Sequence, residues 1–239
     1  MENQFPNESQ GKVMIGSLSD VERVAFYKKT YAHVAGGVLV FILFEYLLLQ
    51  SDTVVNFMHS MMDGYKWLLL LGGFMLATNY AESMALRSSD KNVQYLAYGI
   101  YIFLEALIFV PMLYMVTKLM GPSGSEILYQ ASIVTLALFT GLSAAVLMTK
   151  ADFSFLKTGL TIGFFIAIGL IIAGTIFGFN LGLWFSVAMC LLAGGSILYQ
   201  TSNLVKKYGV EDYIPAALGL FASLMLLFWY ILRIFMSRD

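Results

Sequence analysis

The sequence predicts an all-α fold of the polytopic membrane class: a bundle of seven transmembrane helices with the last helix at its centre. Three observations predict it. Apolar runs near twenty residues recur seven times, and each can cross a hydrocarbon layer about 30 Å thick as a helix. Of the 239 residues, 59% are hydrophobic and only 12% charged, more apolar surface than a soluble domain of this size can hide. The last run opens on small residues, Pro215 to Ser223 in PAALGLFAS, which let neighbours pack closely on several sides.

Residues 1–30 are polar and read as a segment preceding the first span. They lack the apolar stretch of a secretion signal, so the first span, Tyr31–Gln50, must act as its own membrane signal. The second span is Trp67–Leu86. The third, Val93–Leu119, carries Pro111, which removes one backbone bond and should kink the helix. Met120–Glu126 reads as a turn because Pro122 is flanked by glycines. The fourth and fifth spans, Leu128–Thr149 and Phe155–Phe179, are parted by the polar loop Thr149–Ser154. The sixth, Leu183–Leu204, ends on four polar residues, Gln200 to Asn203. The seventh, Tyr213–Met236, follows the loop Lys206–Asp212 and leaves a tail of residues 237–239. Ser89–Asn92 is the remaining short inner loop. Glycine pairs at 36–37, 72–73 and 194–195 suit close helix contacts; no basic residue accompanies them as a phosphate loop would need. Tyr31, Trp67, Trp184 and Tyr213, near span ends, fit interfacial anchoring.

Lysine and arginine set the expected orientation. Lys12, Arg23, Lys28, Lys29, Arg87, Lys91, Lys150, Lys157, Lys206 and Lys207 fall on one side; Lys66, Lys118, Arg233 and Arg238 fall on the other. This places the N-terminus in the cytoplasm and, with an odd helix count, the C-terminus outside. The two terminal arginines dissent, and a re-entrant last segment would return the tail to the inside. A short N-terminus and compact loops point to a bacterial inner membrane.

A formal net charge of -1 argues against nucleic acid as a partner. The single Cys190 excludes a disulfide framework, and the two histidines, His33 in the first span and His59 in an outer loop, make a metal site improbable. No enzyme chemistry is expected. Gly141–Ala145, GLSAA, faintly resembles an intramembrane serine protease motif but has no base in reach. The last span has no lysine for a retinal. No cofactor is expected.

Carboxylates inside spans are costly and usually face a cavity or a partner. Glu45 lies toward the outer end of the first span, Glu82 toward the inner end of the second, and Glu105 near the middle of the third. Glu45 and Glu82 can reach an interface, whereas Glu105 is too deep to snorkel easily. Glu82 and Arg87 are five residues apart, beyond the favoured four-residue pairing.

Four segments together resemble the Bax inhibitor family, the transmembrane Bax-inhibitor-motif proteins. They are FYKKTYAHVAGGVLV (Phe26–Val40), FLEALIFVPML (Phe103–Leu113), TGLSAAVLMTKADFSFLKTGL (Thr140–Leu160), and ILYQTSNL followed by DYIPAALGLFASLMLLFWYILR (Asp212–Arg233). The resemblance implies six helices around a central seventh. It implies a pH-sensitive calcium leak, suppression of cell death in eukaryotes, and in bacteria partnership with a membrane-bound ATP-dependent protease. The leak is attributed in that family to one aspartate on each of the last two helices, sharing a proton and paired with an arginine of the second helix.

Both aspartates are absent here. The family's Leu-Tyr-Asp is Leu198, Tyr199, Gln200, and its Leu-Tyr-Leu-Asp is Leu220, Phe221, Ala222, Ser223. Two close carboxylates repel, so one holds a proton near neutrality; glutamine and serine cannot do this. The polar cluster from Gln200 reads either as a neutral plug or as a helix end capped by its own side chains. Arg87 falls where the family's arginine is expected. The candidate ion pathway or gate is therefore Gln200, Ser223, Glu105, Glu82 and Arg87. Two functions stay open: a calcium or cation leak with altered or absent pH gating, or a non-conducting regulator that binds another membrane protein.

Overall fold

The first helix begins where Ser19 can cap it. The Ser19 side chain accepts from the backbone N–H of Glu22, and the Glu22 carboxylate accepts from the Ser19 N–H at 3.0 Å. This reciprocal cap starts α1 at Asp20, and it runs to Leu48. The computed structural model describes residue 15 and residues 19–237. The further helices are α2 (Asp52–Ser60), α3 (Tyr65–Arg87), α4 (Lys91–Tyr114), α5 (Gly121–Thr149), α6 (Leu156–Phe177), α7 (Gly182–Lys206) and α8 (Tyr213–Met236). The protein is an all-α polytopic membrane protein. Six of these helices are long and apolar enough to cross a membrane: α1, α4, α5, α6, α7 and α8. With 23 residues, about 34 Å at 1.5 Å each, α3 has the length too, but Lys66, Asn79, Glu82 and Arg87 dilute its apolar character. It packs within the bundle against α4, α6 and α8.

The last helix is the axis of the bundle. Of its 24 residues, 16 are buried, and it packs against α1, α3, α4, α5 and α7. The small residues Ala216, Ala217 and Gly219 are among the buried ones, as the sequence predicts. Its closest partner is the antiparallel α7. By contrast α6 buries only Ala167 and Gly174 along 22 residues and lies at the periphery, against α7 and α3.

Several boundaries differ from the sequence reading. The first helix starts eleven residues before Tyr31, because the Ser19 cap can nucleate a helix in polar surroundings. Met120–Glu126 is not a turn: α5 begins at Gly121 with Pro122 in its first turn, where a missing N–H costs nothing. The tight α4–α5 connection is made by the residues flanking it. Past Pro111, α4 continues as a π-helical turn, Met115–Leu119, closed by the Met120 N–H on the Met115 carbonyl at 3.1 Å. Gly124 then lies on the Val116 carbonyl, where any Cβ would overlap it. His59 sits on a helix, α2, not in a loop. Val55 and Met58 of α2 pack on Val110 of α4. At nine residues α2 was below the length that hydropathy detects. Gly72 and Gly73 face open space rather than another helix, whereas a Cβ on Gly195 would touch Leu160 of α6. Tyr213 is buried, not an interfacial anchor: its ring lies under the Lys29 ammonium at 3.7 Å and the Lys91 ammonium at 4.1 Å. Glu45 does not snorkel; it is buried with neither carboxylate oxygen partnered. Lys12, Arg238 and most of the segment before α1 lie outside the described residues.

Candidate functional site

A cavity of about 960 Å³ opens among α3, α4, α6, α7 and α8. Four of the five residues singled out from the sequence line it: Glu82 from α3, Glu105 from α4, Gln200 from α7 and Ser223 from α8. Arg87 does not. It is exposed, in a separate recess formed by one face of α3 with Asn79, Tyr80 and Ser83. The five-residue offset from Glu82 turns the two side chains to different faces of α3. The charge partner expected for the cavity is thus absent from that position.

The packing of α7 on α8 sets the register of the neutral pair. Ser223 shares a hydrogen bond of 2.8 Å with Ser196, and its hydroxyl also donates to the Gly219 carbonyl at 2.9 Å. Gln200, one turn further along α7, lies over Gly219, where an added Cβ would stand 3.1 Å from its amide atoms. Gln200 and Ser223 therefore sit at different levels of the α7–α8 contact. They are one turn out of step, and Ser196, which the sequence reading passed over, is the true neighbour of Ser223. A serine four residues before Gln200 shares its helix face, which was the available signal.

The polar cluster that closes α7 divides its work among four directions. Gln200 faces the cavity. Thr201 is fully buried beside Tyr31 of α1 and Ser143 of α5. Ser202 accepts from the Phe153 N–H at 3.0 Å and so holds the α5–α6 loop. Asn203, nearly buried, accepts the Lys207 N–H on its carbonyl at 2.7 Å. One residue faces the cavity, Ser202 ties α7 to the α5–α6 loop, and the Asn203 backbone carbonyl takes the bond that caps α7 itself. The same loop is held by Lys206, 2.9 Å from Asp152. The Ser154 N–H and then Lys206 keep the Asp152 carboxyl well below the usual carboxylate range. Lys150 lies 3.4 Å from Asp20 at the start of α1.

The cavity changes character along its length. Toward Lys157 it is polar: Thr78 and Glu82 on α3, Tyr101 and Glu105 on α4, Ser196 and Gln200 on α7, Ser223 on α8. Glu105 is buried, with Tyr101 one turn earlier on the same face. Toward Arg233 it is walled by Trp67, Leu71, Phe74, Ile171, Leu226 and Trp229. Phe109 of α4 holds Trp229 edge-on at a ring separation of 4.8 Å.

The profile of the family described as inhibitor of apoptosis-promoting Bax1 matches residues 23–239. The chain belongs to the Bax inhibitor family. Bax inhibitor 1 of Schizosaccharomyces pombe is 26% identical over 239 residues, covering 98% of this chain and 84% of that protein. An uncharacterised protein of Pseudomonas aeruginosa is 37% identical over 115 residues, 48% of this chain and 51% of its own length. Protein lifeguard 4 of Mus musculus is 33% identical over 108 residues, 44% of each chain. In these last two matches the chain spans about half the length of its relative.

Proposed function

We propose that this Bax inhibitor protein is a calcium or cation leak whose ion-handling groups are Glu82 and Glu105. The observation that carries the reading is their convergence with Gln200 and Ser223 on the polar half of one cavity. Two carboxylates on neighbouring helices supply the negative charge that a cation route needs. The amide of Gln200 and the hydroxyl of Ser223 supply neutral oxygen ligands but no proton equilibrium. The aspartate pair that would act as a pH sensor is missing, so any change of flux between about pH 6 and pH 8 is expected to be weak and to disappear with Glu82 and Glu105. The N-terminus lies in the cytoplasm of a bacterial inner membrane, calcium is the transported ion rather than a resident cofactor, and the protein performs no catalysis.

The test is calcium entry into dye-loaded proteoliposomes containing the full chain. Flux above that of empty vesicles, changing little across that pH range, supports the reading. No flux at any pH overturns it. That result would favour the second reading, a non-conducting regulator that binds another membrane protein such as an ATP-dependent protease. The lack of an ionisable residue at Gln200 and Ser223 favours that second reading, and relatives from vaccinia virus named Golgi anti-apoptotic protein agree with a regulatory role.

A further inference from the structure

We propose that the apolar half of the cavity holds one acyl chain of an anionic phospholipid, admitted from the bilayer between α3 and α6, with its headgroup at Arg233. The wall on the α6 side is open. Phe164 and Phe165 line the cavity yet are 43% and 68% exposed, and α6 touches α3 only lightly. Exposed apolar side chains on a spanning helix meet hydrocarbon, so the cavity is continuous with the lipid. Water is a poor occupant of this half, because a buried water needs two to four polar partners. The walls of Trp67, Leu71, Phe74 and Leu226 offer few, and Thr175, Asn180 and Tyr230 gather toward its Arg233 end.

Length and charge select the occupant. Ser223 and Arg233 are ten residues apart on α8, about 15 Å along the helix. That is half of a hydrocarbon layer of about 30 Å, the depth that one leaflet's chain spans. Arg233 closes this half of the cavity, and among the described residues no carboxylate lies within ion-pair distance of it. Arg233 lies in the last turn of α8, at headgroup level by this length, and a phosphodiester matches its fork of donors. The proposal stands apart from conduction: it concerns the half of the cavity without carboxylates, and its test reads fluorescence, not flux.

Two of the three tryptophans, Trp67 and Trp229, line this half, whereas Trp184 is 84% exposed on the outside. Trp184→Phe leaves the two cavity reporters. That variant of the full chain is reconstituted in vesicles doped with phosphatidylglycerol or phosphatidylcholine brominated on the acyl chain, at equal mole fraction. Brominated chains quench indole on contact. The expected result is quenching by the glycerol lipid at about fivefold lower mole fraction than by the choline lipid, the ratio that one basic residue's attraction for an anionic headgroup corresponds to. Arg233→Gln should abolish the preference and Arg233→Lys keep it. Thr175→Phe, which adds bulk to the α6 wall of the same cavity without altering charge, should reduce quenching by both lipids. Equal quenching by the two lipids, or a preference that survives Arg233→Gln, overturns the proposal. So does quenching unchanged by Thr175→Phe, which decides alone should Arg233→Gln fail to fold.

Discussion

The two halves of the cavity are built from the same helices to opposite ends. On α3, Thr78 and Glu82 line one half and Trp67 and Leu71 the other; on α8, Ser223 lines one and Trp229 the other. The polar half is narrowed by direct α7–α8 contact, with Ser196 on Ser223 and Gln200 on Gly219. The apolar half is bounded by the loosely packed α6. Polar groups are thus concentrated at the end where helices pack closely enough to satisfy them. The end that borders lipid carries few, Thr175, Asn180 and Tyr230 with Arg233. A cavity in a membrane protein need not be one compartment, and a passage for ions can share its walls with a site for hydrocarbon.

The strongest way to break this contrast is to load the polar half with charge. Gln200→Asp combined with Ser223→Asp should lower thermal stability most of all, since each intramembrane carboxylate costs ~2.5–3.5 kcal/mol on insertion scales before any pairing. One turn apart, about 5.4 Å along the helix axis, the two groups remain close enough to repel. The double variant should therefore gain pH-dependent calcium flux, and either single variant less. A stable double variant with pH-independent flux would show that the α7–α8 contact cannot host a sensor.

A smaller test compares the halves directly. Leu226→Asn puts an amide into the apolar wall and should cost about 1–3 kcal/mol in unfolding. Ser196→Ala removes one interhelical bond from the polar half, but Ser223 keeps the Gly219 carbonyl, so its cost should be about 0.6 kcal/mol, typical of such bonds in membranes. Denaturant titration in mixed micelles ranks the two. The reverse order would mean that the apolar half is already wet.

The smallest effect lies in the loop that closes the polar end. The folded value of Asp152 is depressed, so its contribution is present above the unfolded value of about 3.9 and is lost as pH falls through the depressed one. Hydrogen exchange at the Ser154 amide, which donates to Asp152 at 2.8 Å, should keep the same protection from neutrality down to about pH 4. Asp152→Asn should weaken that protection without altering flux. Loss of protection already near neutral pH would contradict the assignment.

The spans were legible because hydropathy alone places them. Tyr213–Met236 is the observed α8, and the small residues of PAALGLFAS told correctly that it is enclosed. What hydropathy does not encode was missed. The start of α1 depends on a single cap at Ser19, and α2 is too short to register as a span. The cavity residues were chosen as polar groups at membrane depth, a one-dimensional criterion, and four of five share the cavity. Arg87 failed because depth says nothing about which face of α3 a residue occupies. The contact of Ser196 with Ser223 was missed because the spacing from Gln200 gives the helix face of Ser196 but not its partner, which the close approach at Gly219 sets.

The central claim is that cation handling in this chain rests on α3 and α4 rather than on α7 and α8. The measurement that bears on it most directly is calcium flux in proteoliposomes for two double variants prepared in parallel. Glu82→Gln with Glu105→Gln should lose most of the wild-type flux, while Gln200→Ala with Ser223→Ala should retain it. Flux that survives removal of both carboxylates and vanishes with the amide and hydroxyl would contradict the account.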